Sequence, residues 1–297
     1  MYATIAFAVA LSCCGEGKNA KDTAKVERSS VWMVSSGNNR IYIGGTIHLL
    51  RESDYPLPKV FEQAYKDSTK LVLELPAGSG GSGEVSTRMR QMGTYAEGDD
   101  VSKHVSPETL KKVLAWADTN SFPHAAMLKL KPWFLSLMMS VIEYQHLGAE
   151  ADKGVETYFE KRAREDGKPG DGLETVEYQL TLFAKLTEKQ QEQLLHQTLS
   201  EVAGLKKDFD DLLDAWRTGD SVRLQEFLFR DADKYPELID QFLLKRNEAW
   251  IGPLEKYLKA GERVFVLVGA GHLGGEKGIL ELLRKKGYEV HQLGVQK

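Results

Sequence analysis

Two matching runs near opposite ends of the chain constrain the fold more than anything else in it. Ile41-Tyr42-Ile43-Gly44 leads into Gly45-Thr46-Ile47-His48, and Val264-Phe265-Val266-Leu267-Val268 leads into Gly269-Ala270-Gly271-His272. A short, unbroken apolar run rich in β-branched residues reads as a strand buried on both faces, the kind found in helix-covered parallel sheets. Ligands bind at the carboxyl edge of such sheets, where loops aim side chains into a crevice built on rigid strands. Each run therefore places a histidine at that edge.

Other strands follow from local pattern. Val31 to Val34 and Ile41 to Gly44 read as a hairpin joined by the turn-rich loop Ser35 to Asn39, and Leu71 to Leu75 as a buried strand closed by Pro76. At the far end Val264 to Val268, a helix from Glu276 to Lys286 capped by Gly287, and Tyr288 to Leu293 form one β-α-β unit. Pro56 to Tyr65 carries a helical pattern. From Glu84 to about Leu258 apolar residues recur at three- and four-residue spacing, with helices expected over 108–119, 132–147, 155–166, 188–204, 208–218 and 236–258. The expected fold class is α/β: strand-rich N- and C-terminal parts form a sheet, with a large helical insertion between them.

The amino terminus reads differently. Met1 to Cys14 has no charged side chain, and its apolar run from Tyr2 to Leu11 falls short of the roughly 20 residues a spanning helix needs. It matches the apolar region of a secretory signal. Cys13 and Cys14 are the chain's two cysteines, and Leu11-Ser12-Cys13-Cys14 resembles a bacterial lipoprotein box, so either cysteine is a candidate for lipidation. The polar stretch 15–30 reads as a flexible tether, which leaves 31–297 as a single folded unit. No disulfide or thiol chemistry is available to that unit. A net charge of −4, with 28% charged residues, gives no field that would draw nucleic acid or anionic lipid.

His48, Glu74 and His272 all fall at or near carboxyl ends of expected strands. Two neutral imidazoles and a carboxylate make a ligand set for zinc, manganese or cobalt with a position left for water. Without metal, the same groups could run general-base hydrolysis, Glu74 orienting a histidine. Glu74 interrupts an apolar run, and a carboxylate there needs a cation, a metal or a strong donor beside it. The middle of the chain adds Glu156, then Glu174 and Glu177, whose spacing of three puts both on one face of a helix. Arg246 and Asn247 could bind a carboxylate or carbonyl, or Arg246 could pair with Glu174.

Taken together, GGTIHLL at 44–50, PLP at 56–58, LVLELP at 71–76, KPW at 131–133, GVETYF at 154–159, LETVEYQL at 173–180, RNEAW at 246–250 and VGAGHLGGEKGILELLRKKGYEV at 268–290 resemble the TraB/GumN family, which includes pheromone-shutdown proteins and the animal TIKI proteins. The resemblance implies a fold similar to the erythromycin-esterase and ChaN-like proteins. It implies a TIKI-like metalloprotease using manganese or cobalt. His48 and His272, with one or more of Glu74, Glu156 and Glu177, would then hold the metal, a remaining glutamate would move the proton, and Arg246 and Asn247 would face a peptide or small-molecule substrate. The expected location is extracytoplasmic, as a periplasmic or outer-membrane lipoprotein whose only membrane partner is its lipid anchor. ChaN-like relatives bind haem, so a haem- or ligand-binding lipoprotein with His48 or His272 as axial ligand is the alternative. A non-catalytic fold that presents the helical insertion to a protein partner is the third reading.

Overall fold

The computed structural model describes residues 26–79, 83–228 and 234–296. The leader, Cys13, Cys14 and the first part of the expected tether lie outside the described residues. Strand β1 (Val26–Ser36) turns through Gly37-Asn38 into β2 (Asn39–Thr46), with Gly37 at a φ of +58°. The turn is tighter than the five-residue loop expected. β1 also starts five residues before Val31, inside the stretch read as tether. Residues 27–30 are polar, but this stretch gains a ladder partner in the last strand of the chain, Val26 facing Gln296, and ladder pairing outweighs composition.

Helix α1 (Lys59–Asp67) and β3 (Lys70–Leu73) follow. The helical middle comprises α2 (Gly83–Gly93), α3 (Pro107–Thr119), α4 (His124–Leu128), α5 (Pro132–His146) and α6 (Val155–Glu165), then β4 (Gly170–Gly172), α7 (Val176–Ala184), α8 (Glu188–Thr218) and α9 (Ser221–Leu228). Short helix α10 (Pro236–Ile239) widens through a π-helical turn, Asp240–Leu244, into α11 (Lys245–Ala260). β5 (Val264–Gly269), α12 (Ile279–Lys285) and β6 (Glu289–Gln296) complete the chain.

The six strands lie in the order β4-β3-β5-β2-β1-β6. β4, β3, β5 and β2 are mutually parallel, while β1 pairs antiparallel with both β2 and β6. The α/β class with a sheet drawn from both ends is therefore observed, and three details change. β4 interrupts the helical insertion; Gly170-Asp171-Gly172 carries no strand signal of its own and pairs because β3 offers an open edge. The two helices expected over 188–218 are one. β6 runs in the direction of β5, but with β2 and β1 between them.

Alternate residues of β5 face opposite sides of the sheet. Phe265 and Leu267 pack with Phe61 of α1, Phe159 of α6 and Trp216 of α8, while Val264, Val266 and Val268 pack with Trp250 and Leu254 of α11 and Leu283 of α12. Both faces are thus sealed by helices, which leaves the strand edges as the place for a site. Two further apolar clusters hold the helical middle together, one around Trp133, Phe183 and Leu243 and one around Trp116, Leu135 and Leu195.

Candidate active site

The register of the parallel strands brings four loop entries to one edge. Leu73 lies beside both Gly172 and Leu267, and Thr46 lies beside Gly269. Just past those residues come Glu174 after β4, Glu74 after β3, His272 after β5 and His48 after β2.

Arg246, reaching in from α11, organises this edge. Its Nε donates to Glu174 Oε1 at 2.9 Å, and its Nη2 donates to Glu174 Oε2 at 3.0 Å and Glu74 Oε2 at 2.6 Å. Nη1 donates to the Phe242 carbonyl at 3.0 Å, a group in the π-helical turn, and faces His272 Nε2 at 3.2 Å. A guanidinium has five N–H donors, and all five are used here. Glu74 also accepts the Gly269 N–H at 2.8 Å. Burial works to raise the Glu74 pKa, but the Arg246 guanidinium beside it outweighs burial and holds it at about 2. Trp250 Nε1 donates to Glu174 Oε1 at 2.9 Å and Gln179 Nε2 donates to Oε2 at 3.1 Å.

His272 is fully buried, its ring 4.4 Å from that of Trp250. Its Nδ1 lies 2.6 Å from Asn247 Oδ1, and Asn247 is oriented by donating from Nδ2 to the Lys277 carbonyl. That assigns the proton to Nδ1 and leaves Nε2 as a lone pair directed at Arg246, with Glu74 Oε1 3.9 Å away. Burial, then Arg246, pushes the His272 pKa down to about 3, so the ring is neutral.

His48 lies at the partly open side of the cluster. Its Nδ1 is 2.7 Å from Glu156 Oε1, an ion-pair contact off the straight line of a hydrogen bond. Burial alone would lower the imidazole's pKa, but Glu156 and then Glu74 outweigh it and raise it. Glu156 Oε1 also accepts from the Thr46 hydroxyl, while Glu156 Oε2 is buried with no partner among the described residues.

The structure therefore gathers His48, Glu74, Glu156, Glu174, Arg246, Asn247 and His272, and it sets Glu177 apart. Glu174 precedes α7 rather than sharing its face, so the spacing of three does not pair the two glutamates. Glu177, expected to take part in the chemistry, is exposed and pairs with Arg88 at 2.6 Å. Arg246 and Asn247, expected to face substrate, are buried, Arg246 bonded to Glu74, Glu174 and the Phe242 carbonyl and Asn247 to His272 and the Lys277 carbonyl. Thr46 and Gln179 carry no signal in the sequence, because their roles depend on partners distant in the chain. The Arg246–Glu174 pair was among the expected alternatives and is observed.

Three carboxylates here face one guanidinium and a neutral imidazole, a formal excess of two negative charges before His48 is counted. Buried charge of one sign calls for a compensating cation. A divalent ion fits by charge and donor type, and Asn247 fixing the outer nitrogen of His272 is the support that metal-binding histidines have. As the side chains stand, no three of His, Cys, Asp or Glu among the described residues converge on one metal-sized point, so a cation would have to draw them together.

The model of the TraB/PrgY/gumN family matches residues 30–292. The chain is 23% identical over 261 residues to the uncharacterized protein YbaP of Escherichia coli (strain K12), an alignment that covers 84% of this chain and 89% of that protein, and the YbaP of Shigella flexneri matches to the same extent. No solved structure gives a significant match.

Proposed function

Because the chain belongs to the TraB/PrgY/gumN family, we propose that it is a metal-dependent hydrolase, TIKI-like in cleaving a peptide or similar acyl bond with an activated water. The observation that carries this reading is the excess of buried carboxylate at the sheet edge, together with the unpartnered Glu156 Oε2. His48, Glu74 and His272 would hold manganese, cobalt or zinc. Bound there, a divalent cation acidifies a water and polarises a carbonyl.

The chain's own residues account for the rest of the reaction. Asn247 keeps the His272 proton on Nδ1, so that Nε2, which meets Arg246, is the nitrogen whose lone pair a cation would take. Arg246 holds Glu74 ionised and fixes both Glu74 and Glu174 in place. Glu156 Oε2 takes the proton from the attacking water and returns it to the leaving nitrogen as the carbonyl carbon's C–N bond breaks. The leader-like run and the cysteine pair support an extracytoplasmic lipoprotein.

The test is metal content of the full chain, purified from the membrane fraction where the cysteine pair predicts it, in wild type, His48→Ala and His272→Ala, followed by a peptide-library digest. One metal per chain, lost with cleavage in both variants, is expected. Variants that fold and keep full metal and activity overturn the assignment. A metal-free reading rests on one observation, the Arg246 contact to His272 Nε2; cleavage that survives exhaustive chelation would select it.

A further inference from the structure

We propose that Thr46 is a positioning residue, one that divides the labour between the two oxygens of Glu156. This inference rests on the role just assigned to Glu156. Thr46 is the last residue of β2 and is buried. Its hydroxyl bonds to Glu156 Oε1, the same oxygen that meets His48 Nδ1. Two partners on Oε1 fix the carboxylate's rotation and leave Oε2 buried and unpaired. Burying an unpaired carboxylate oxygen is unfavourable, so the arrangement makes sense when Oε2 is the oxygen kept for a group that enters the site.

Backbone geometry supports the same reading. Glu156 is the second residue of α6, and that helix can start against the exit of β2 because residue 154 is glycine. A Cβ on Gly154 would lie 2.2 Å from the His48 carbonyl oxygen, a contact with rigid backbone. Val155 N–H donates to the Ile47 carbonyl at 3.2 Å, which ties the two segments together. Thr46-Ile47-His48 and Gly154-Val155-Glu156 thus meet as matching two-residue steps. Thr46 and His48 lie two apart on the strand's exit, and both meet the one glutamate oxygen. The hydroxyl is the part of this junction that touches the carboxylate without itself being a candidate ligand.

The experiment compares full-length wild type, Thr46→Val, Thr46→Ser and Thr46→Ala. The readouts are cobalt affinity by titration and the 15N shifts of the His48 ring in the metal-free protein. Thr46 reaches the ligand His48 through Glu156 Oε1, and removing an outer partner that orients a ligand costs about 10–100-fold in metal affinity. Thr46→Val should show that loss and altered His48 shifts, and Thr46→Ser should restore both; Thr46→Ala replaces Thr46→Val in the comparison should the latter not fold. If the hydroxyl-free variant matches wild type in both readouts, or if Thr46→Ser fails to rescue, the proposal is overturned. If wild type takes no cobalt but the His48 shifts still follow the hydroxyl, the positioning role stands and the metal reading falls.

Discussion

His48 and His272 leave adjacent parallel strands through the same Gly-x-x-His step, but their surroundings push their pKa values in opposite directions. His272 has no solvent exposure, lies against Trp250, and is held neutral by burial and by Arg246. His48 keeps 17% of its side chain exposed, and its pKa is raised because Glu156, and then Glu74, outweigh burial. A motif therefore specifies where an imidazole arrives, and the neighbours specify what it is. One histidine is built into the core as a fixed lone pair, while the other remains responsive to what enters the site.

Arg246 is the strongest lever on this contrast. Arg246→Ala leaves Glu74 and Glu174 buried without their cation, and breaking a buried pair in this way costs about 3–5 kcal/mol. Urea unfolding measures it; a loss near zero would mean that the buried network does not anchor the edge. Next in size is the histidine pair itself. His272→Ala removes a packed ring and leaves Asn247 Oδ1 and an Arg246 N–H unmatched, an expected cost of about 2–4 kcal/mol, against about 1 kcal/mol for His48→Ala. Equal losses in the two variants would erase the distinction between core and responsive histidine. Smallest is Glu177→Gln, which touches an exposed pair with Arg88 and should change stability by no more than about 0.5 kcal/mol. It should also leave metal content unaltered; a large drop in bound metal would bring Glu177 back into the site.

Much of the fold was legible along the chain. The apolar runs of β2, β3 and β5 mark themselves, and the helical spacing of the middle marks itself too, because both depend on neighbours within a few residues. β4 was not legible, since Gly170-Asp171-Gly172 has the composition of a turn and becomes a strand by pairing with β3. That misreading moved Glu174 onto a helix face, when β4 in fact delivers it to the sheet edge. The early start of β1 was hidden for the same reason, as its polar residues acquire a strand's geometry from β6.

The sequence alone determined that two histidines and a strand-end glutamate would share the carboxyl edge of a sheet. That follows from strand direction and the alternation of apolar runs, which are properties of short stretches of chain. Only the tertiary structure decided which carboxylates join them and which histidine is neutral. Arg246 meets Glu74 across 172 residues of chain and Glu174 across 72, and Thr46 meets Glu156 across 110. Protonation states and pairings follow from burial and from charges a few ångströms away, and the packing of distant segments alone brings those charges together.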